Sequence, residues 1–200
     1  MPTIFEKELL LASKSPRRRQ LLSALGIPVS FVDIDVDETI PSFTPTKLIA
    51  QTIAIKKASA FNTKQLSNNQ VLVTADTIVV CDGEKLGKPR DRHHAEQMLR
   101  QLSNKTHSVF TGVCLKDNTH EVSFSEQTLV TFKALSDFEI DYYLNNFQYI
   151  DKAGSYGIQD WIGMVGVSKI DGCYYNVMGL PLTHLWNELL RFSNTEGKEV

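Results

Sequence analysis

Two hundred residues, 42% of them hydrophobic, are enough for one well-buried core or two closely joined lobes, and we expect a single continuous domain over residues 1–200 with a polar tail at about 193–200. Lysine and arginine number 21 against 23 aspartates and glutamates, a balance that excludes a surface basic enough to bind nucleic acid all over but leaves room for a local basic site. No apolar run approaches the roughly 20 residues that span a bilayer, and MPTIFEKELL is acidic where a signal peptide is apolar, so a cytoplasmic protein without membrane partners is expected. Cys81, Cys114 and Cys173 are odd in number and lack CxxC spacing, which suggests neither a disulfide framework nor a cysteine zinc site; they read as small hydrophobes.

LLLAS at 9–13 reads as a short buried strand, after which Ser15 and Pro16 supply an N-cap and a first helical residue. The arginines 17–19 therefore open a helix, with Leu21, Leu22 and Leu25 on its apolar face and Gly26 at its end. VSFVDIDV at 29–36 alternates like a strand and leads into the acidic loop of Asp37 and Glu38. Thr44-Pro45 repeats the capping device for a second helix, with Leu48, Ile49, Ile53 and Ala60 facing inward and Lys56 and Lys57 near the last turn. VLVTADTIVV at 71–80 is apolar at nearly every position, as a central strand buried on both faces should be, except at Asp76 and Thr77.

Asp82-Gly83 predicts a hairpin turn into EKLGKPRD, and Asp91 caps a third helix, HHAEQMLRQL. Two long strand-like runs follow, THSVFTGVCLK and EVSFSEQTLVTFKAL. Ser136 and Glu139 form a capping box for a helix ending near Asn146. A stretch rich in glycine and aromatics, DKAGSYGIQDWIGMVGVSKIDGCYYNVMGLPL, precedes the last helix in PLTHLWNELLRF. Helices mixed with buried and amphipathic strands give an α/β fold with a mixed central sheet and flanking helices.

Arginines at a helix start oppose the macrodipole at about 0.3 to 1 kcal/mol each, unless a strongly negative ligand reverses the sign. Free backbone N–H groups, the Ser13 and Ser15 hydroxyls and the guanidinium forks of Arg17 and Arg18 suit a phosphate or polyphosphate, while the bland alternative leaves all three arginines in solvent. Arg19 is the one expected at the surface. A carboxylate inside an apolar strand pays a desolvation penalty unless paired, hydrogen-bonded or metal-bound, so Asp76 reads either as a structurally partnered acid or as a general base or cation ligand. Glu38 is a second acidic candidate, against an ordinary loop role.

Lys57 and Lys88 would carry charge to phosphates if they are not simply solvated cations. GEKLGKP is not a P-loop: its glycines are too close, and Pro89 stands where Ser or Thr must bind magnesium. His93, His94, His107, His120 and His184 show no metal-ligand spacing, and GxSxG is absent. YGIQ at 156–159 offers an aromatic face and the Gln159 amide, a pair able to read a base edge.

Together, LASKSPRRRQLL, VTADTIVV followed by GEKLGKP, AGSYGIQ and YYNVMGLPL resemble the Maf family of nucleoside triphosphate pyrophosphatases, in order and over roughly residues 9–190. The resemblance implies an α/β fold similar to inosine triphosphate pyrophosphatase, with two lobes around a cleft, and hydrolysis of a nucleoside triphosphate to monophosphate and pyrophosphate. By position it implies Ser13, Arg18, Lys57 and Lys88 as phosphate-binding residues and Glu38 and Asp76 as the acidic, metal-holding pair. Asp76 would be the proton acceptor. Arg17, Thr77 and Gln159 match the specificity set of the branch that cleaves dTTP and UTP, with modified pyrimidine nucleotides as further candidate substrates. A divalent cation, Mg²⁺ or Mn²⁺, and a homodimer are implied as well. The chain departs from many relatives in carrying Tyr175 where serine is common and Lys14 where small residues are usual. The rival reading is a non-catalytic nucleotide or nucleic-acid binding regulator of cell division, anchored by the arginines.

Overall fold

The computed structural model describes residues 7–194, without the side chains of Thr63, Ser193 and Asn194. The expected polar tail thus lies almost wholly outside the described residues. β1 (Glu8–Ala12) pairs in parallel with β2 (Val29–Val32) on one side and β3 (Gln70–Cys81) on the other, so that Leu11 stands opposite both Phe31 and Val73. β3 turns back into β4 (Glu84–Leu86), and β5 (Thr106–Lys116), β6 (Glu121–Phe132) and β7 (Val167–Asp171) complete a seven-stranded mixed sheet in the order β2-β1-β3-β5-β6-β7, with β4 on β3. The helices are α1 (Pro16–Ser23), α2 (Thr46–Ala60), α3 (Arg92–Leu102), α4 (Asp137–Asn146), α5 (Trp161–Gly166), α6 (Tyr174–Met178) and α7 (Leu182–Asn194). Among the described residues no helix is long and apolar enough to cross a membrane.

Most of the punctuation read from sequence forms as expected, but Thr44-Pro45 does not repeat the capping device. α2 begins at Thr46 and Pro45 itself takes the N-cap position, where a proline has no side-chain acceptor to bond the first turn. Asp82 and Gly83 have φ of 51° and 80°, the paired positive values of a type I′ turn joining β3 to β4. Asp91 accepts from His94 N at 2.8 Å, and the Ser136–Glu139 capping box closes reciprocally at 3.3 and 2.8 Å. The second strand is shorter than its alternation suggests. After Val32, Asp33 and Asp35 turn to Arg19 and Lys14, at 2.6 and 2.7 Å, and the ladder stops.

The chain falls into two compact units. The first comprises the chain up to Asp76, residues 111–126, and Gly179 onward; the second comprises residues 77–110 and 127–178. In the first, α2 presents Ala50, Ile53, Ala54 and Ala58 inward, while Leu48 and Ala60 are exposed, contrary to the periodicity. The reason is the closeness of β5: a Cβ on Gly112 would stand 2.1 Å from the Gln51 nitrogen. Only an alanine stripe fits a helix backbone at that approach. This core gathers Ala12, Ala54, Ala58, Leu72 and Cys114.

The second unit packs larger side chains, Leu99, Phe132, Ile140, Tyr143 and Ile162, each fully or almost fully buried and each contributing roughly 1.5 to 3 kcal/mol by burial. His107 lies within it, stacked on Phe132 and 2.7 Å from the Tyr156 hydroxyl.

Candidate active site

At the start of α1, Ser15 caps the helix by accepting from Arg18 N at 3.4 Å, and Ser15 N donates to the buried Ser13 Oγ at 3.2 Å. Pro16 has no N–H, so fewer backbone donors are open here than the sequence suggests; the side chains must do more of any anion binding. Arg18 Nε donates to Gly179 O at 2.8 Å. That carbonyl is presented by a glycine at φ 110°, the backbone reason for the MGLP turn in YYNVMGLPL. Burial pushes the Arg18 guanidinium below the usual arginine range, opposed by the charges of Asp76 and Glu38 and assisted by Arg17.

Arg19 is not simply a surface residue. Its Nε donates to Ser13 O at 3.0 Å, its guanidinium pairs with Asp33 at 2.6 Å, and it lies over the Phe31 ring at 5.2 Å. Arg19 thus holds the strand-to-helix turn to β2. Lys14, one of the two departures from the family pattern, is occupied by Asp35 rather than turned to a ligand.

The strongest cluster lies on α2, β3 and the acidic loop. Lys57 Nζ is 2.8 Å from Asp76 Oδ1 and 2.8 Å from Glu38 Oε1, with its side chain only 12% exposed. The penalty of placing Asp76 in a strand is thereby met by an ammonium aimed from a neighbouring helix. The loop is shaped for this contact: Asp37 Oδ1 accepts from Thr39 N and Oγ1 at 2.9 and 2.6 Å, and Lys56 Nζ donates to Thr39 O at 2.5 Å. Neighbouring lysines therefore divide the work, Lys56 holding the loop backbone and Lys57 its carboxylate.

The first unit holds Ser13, Arg17, Arg18, Glu38, Lys57 and Asp76; the second holds Thr77, Lys88 and Gln159. Lys88 is exposed beside a buried Pro89, and Gly87 O accepts from Gly154 N at 3.0 Å, so GKP sets a lysine on a fixed turn. It lines a pocket of about 500 Å³ with Lys85, Arg90, His94 and Gln97. Gln159 Nε2 donates to Asp160 Oδ1 at 3.0 Å, while Gln159 Oε1 is buried without a hydrogen-bond partner among the described residues. Sequence reading missed Gly179, Asp160 and Tyr143; the first had a signal in the GLP turn, the others none.

A divalent cation finds suitable donors in the first unit. One oxygen of Glu38 and one of Asp76 converge on a single positive charge, that of Lys57, and such hard carboxylate oxygens suit Mg²⁺ or Mn²⁺. Among the described residues no group of three His, Cys, Asp or Glu side chains would hold a metal without help. The residues thus fit a cation shared with substrate phosphates better than a closed metal cage.

A mixed α/β sheet with these motifs in this order is matched by the family model described as Maf-like protein over residues 8–192, and the chain belongs to that family. It is 45% identical to a dTTP/UTP pyrophosphatase of Porphyromonas gingivalis over 94% of this chain and 96% of that protein. A dTTP/UTP pyrophosphatase of Phocaeicola vulgatus is 49% identical over 91% of this chain and 94% of its own length. Among solved structures, the Staphylococcus aureus Ham1 protein matches with a TM-score of 0.52 at 16% identity, covering 96% of this chain and all of that one, which supports the fold.

Proposed function

We propose that this protein hydrolyses dTTP and UTP to the nucleoside monophosphate and pyrophosphate. The observation that carries the reading is the Lys57 ammonium, 2.8 Å from both Asp76 and Glu38, in a chain whose relatives are named dTTP/UTP pyrophosphatases. Lys57 holds Oδ1 of Asp76 and leaves Oδ2 to take a proton from water. The resulting hydroxide attacks the α-phosphorus, the bond from that phosphorus to the α,β-bridging oxygen breaks, and pyrophosphate leaves. Positioning and electrostatics suffice for such a transfer, and no covalent nucleophile is required.

In this reading Ser13, Arg18, Lys57 and Lys88 bind the phosphates, and Arg17, Thr77 and Gln159 select the base. Arg18, fixed through Gly179 O, offers a pre-oriented guanidinium whose burial strengthens its attraction for an anion. A divalent cation, Mg²⁺ or Mn²⁺, held by Glu38 and Asp76, would supply neutralisation of the triphosphate charge. The cytoplasm is the proposed compartment and a homodimer the proposed assembly.

The test is pyrophosphate release from dTTP, UTP, CTP, ATP and GTP with Mg²⁺, with Mn²⁺ and with excess chelator. Release from dTTP and UTP that needs metal is the expected result. Stoichiometric nucleotide binding without release under every condition would overturn the reading in favour of a binding protein.

A further inference from the structure

We propose that Asp160 is a positioning residue for base selection, one that locks the Gln159 amide by its NH₂ group, leaves its carbonyl oxygen as the open acceptor, and so makes the protein select the ring N–H of uracil and thymine. The inference rests on Gln159 reading the base, and it explains how that reading acquires a direction.

An amide at the end of a side chain is ambivalent. Half a turn about its last torsion exchanges the oxygen for the NH₂ group, so an untethered glutamine pairs as well with an aminopyrimidine edge as with an imide edge. Here the choice is already made. Asp160 Oδ1 lies 3.0 Å from the amide nitrogen, and an ionised carboxylate only accepts, so the NH₂ group must face it. Gln159 Oε1 is left buried without a partner among the described residues, an acceptor waiting for a donor. Uracil and thymine offer N3–H at the middle of their pairing edge, whereas cytosine offers a bare N3 lone pair there. Both accepted bases share the imide edge, which accounts for one site taking two of them.

The surroundings are built to hold Asp160 in this pose. Its Oδ2 accepts from the Tyr143 hydroxyl at 3.0 Å and lies 3.4 Å from Lys152 Nζ, a lysine whose side chain is only 8% exposed. Asp160 also stands at the N-cap of α5, where an aspartate ordinarily accepts from the helix backbone, yet its side chain makes no capping bond. The carboxylate is diverted from that task to the amide, the phenol and the ammonium. Gly157 completes the seat: a Cβ there would come within 2.6 Å of Gln159 Nε2 and 2.5 Å of Asp160 Oδ2. The lack of a side chain at 157 leaves the volume that the locked pair occupies.

The experiment compares kcat/KM for UTP and CTP in the wild type, Gln159→Ala, Asp160→Asn, Gly157→Ala and the double variant Gln159→Ala/Asp160→Asn. Asp160→Asn lets the amide turn over, and the added methyl at 157 meets the Asp160 carboxylate and the Gln159 amide nitrogen first; each should lower the UTP:CTP ratio roughly ten- to a hundredfold. Adding Asp160→Asn to Gln159→Ala should change the ratio no further. A structural role alone would lower both substrates equally and keep the ratio, which would overturn the proposal while Gln159→Ala still collapses it. If Gln159→Ala itself leaves the ratio intact, base reading by Gln159 fails, and the proposal with it. Should Asp160→Asn not fold, Gly157→Ala decides between the same outcomes.

Discussion

Replacing Lys57 with methionine removes the ammonium and keeps most of the stem. At 2.8 Å from Asp76, opposite unit charges attract by about 6 kcal/mol at an effective dielectric near 20, before the cost of drawing both from water is counted. That cost cancels much of the attraction, and the Glu38 contact, with its carboxylate 55% exposed, adds less than about 1 kcal/mol. What remains after the change is an Asp76 side chain 15% exposed without its ammonium, a situation costing about 3 to 5 kcal/mol when burial is complete and roughly 2 to 3 here. For a chain of this length that is a fall of roughly 4 to 12 °C in Tm, read by circular dichroism. Lys57→Met/Asp76→Asn should recover most of the loss, because neither charge is then stranded. A single variant melting within about 1 °C of the wild type would refute the view that Lys57 neutralises Asp76.

Gly112→Ala should cost about 3 kcal/mol or more, since the new Cβ meets the backbone of α2 at Gln51 and Ala50 and not a side chain that can move; it should also lower turnover by shifting Lys57 on the same helix, and urea unfolding with steady-state kinetics reads both. His107, 2% exposed, is pushed down to about 4 by burial, so the unfolded chain takes up its proton first as pH falls. Its contribution is complete above the unfolded value near 6.5 and is lost down to about pH 4, by roughly 2 kcal/mol at pH 5 and 3 in all. His107→Gln should therefore flatten the dependence of unfolding free energy on pH between 7.5 and 5 by about 2 kcal/mol; an unchanged slope would show that His107 does not carry it.

Local chemistry explains where sequence reading succeeds. Ser15-Pro16, Asp82-Gly83, Asp91 and the Ser136–Glu139 box each act within four residues, and each forms as its residue types require. Asp76 is legible because a charge in an apolar strand needs a partner, and Lys57 is that partner. What stays hidden depends on distant segments. The inward face of α2 is decided by Gly112 on β5, so the leucine and isoleucine spacing misleads at Leu48. α5, β7 and α6 span only five or six residues each, too short for a periodic signal, and lie in a glycine-rich stretch that reads as loop. Asp160 carries no signal in the sequence; its role shows only in a side chain turned to Gln159 and Tyr143, away from the helix start it stands at.

The central claim, that Asp76 of this chain activates water against a pyrimidine nucleoside triphosphate, is tested most directly by pyrophosphate release from dTTP and UTP, measured side by side for the wild type and Asp76→Asn at saturating metal. Metal-dependent release by the wild type and a fall in kcat of about 10²-fold or more in the variant, with KM little changed, are predicted. Near-normal turnover by Asp76→Asn, or a wild type that releases no pyrophosphate from either nucleotide, would contradict it.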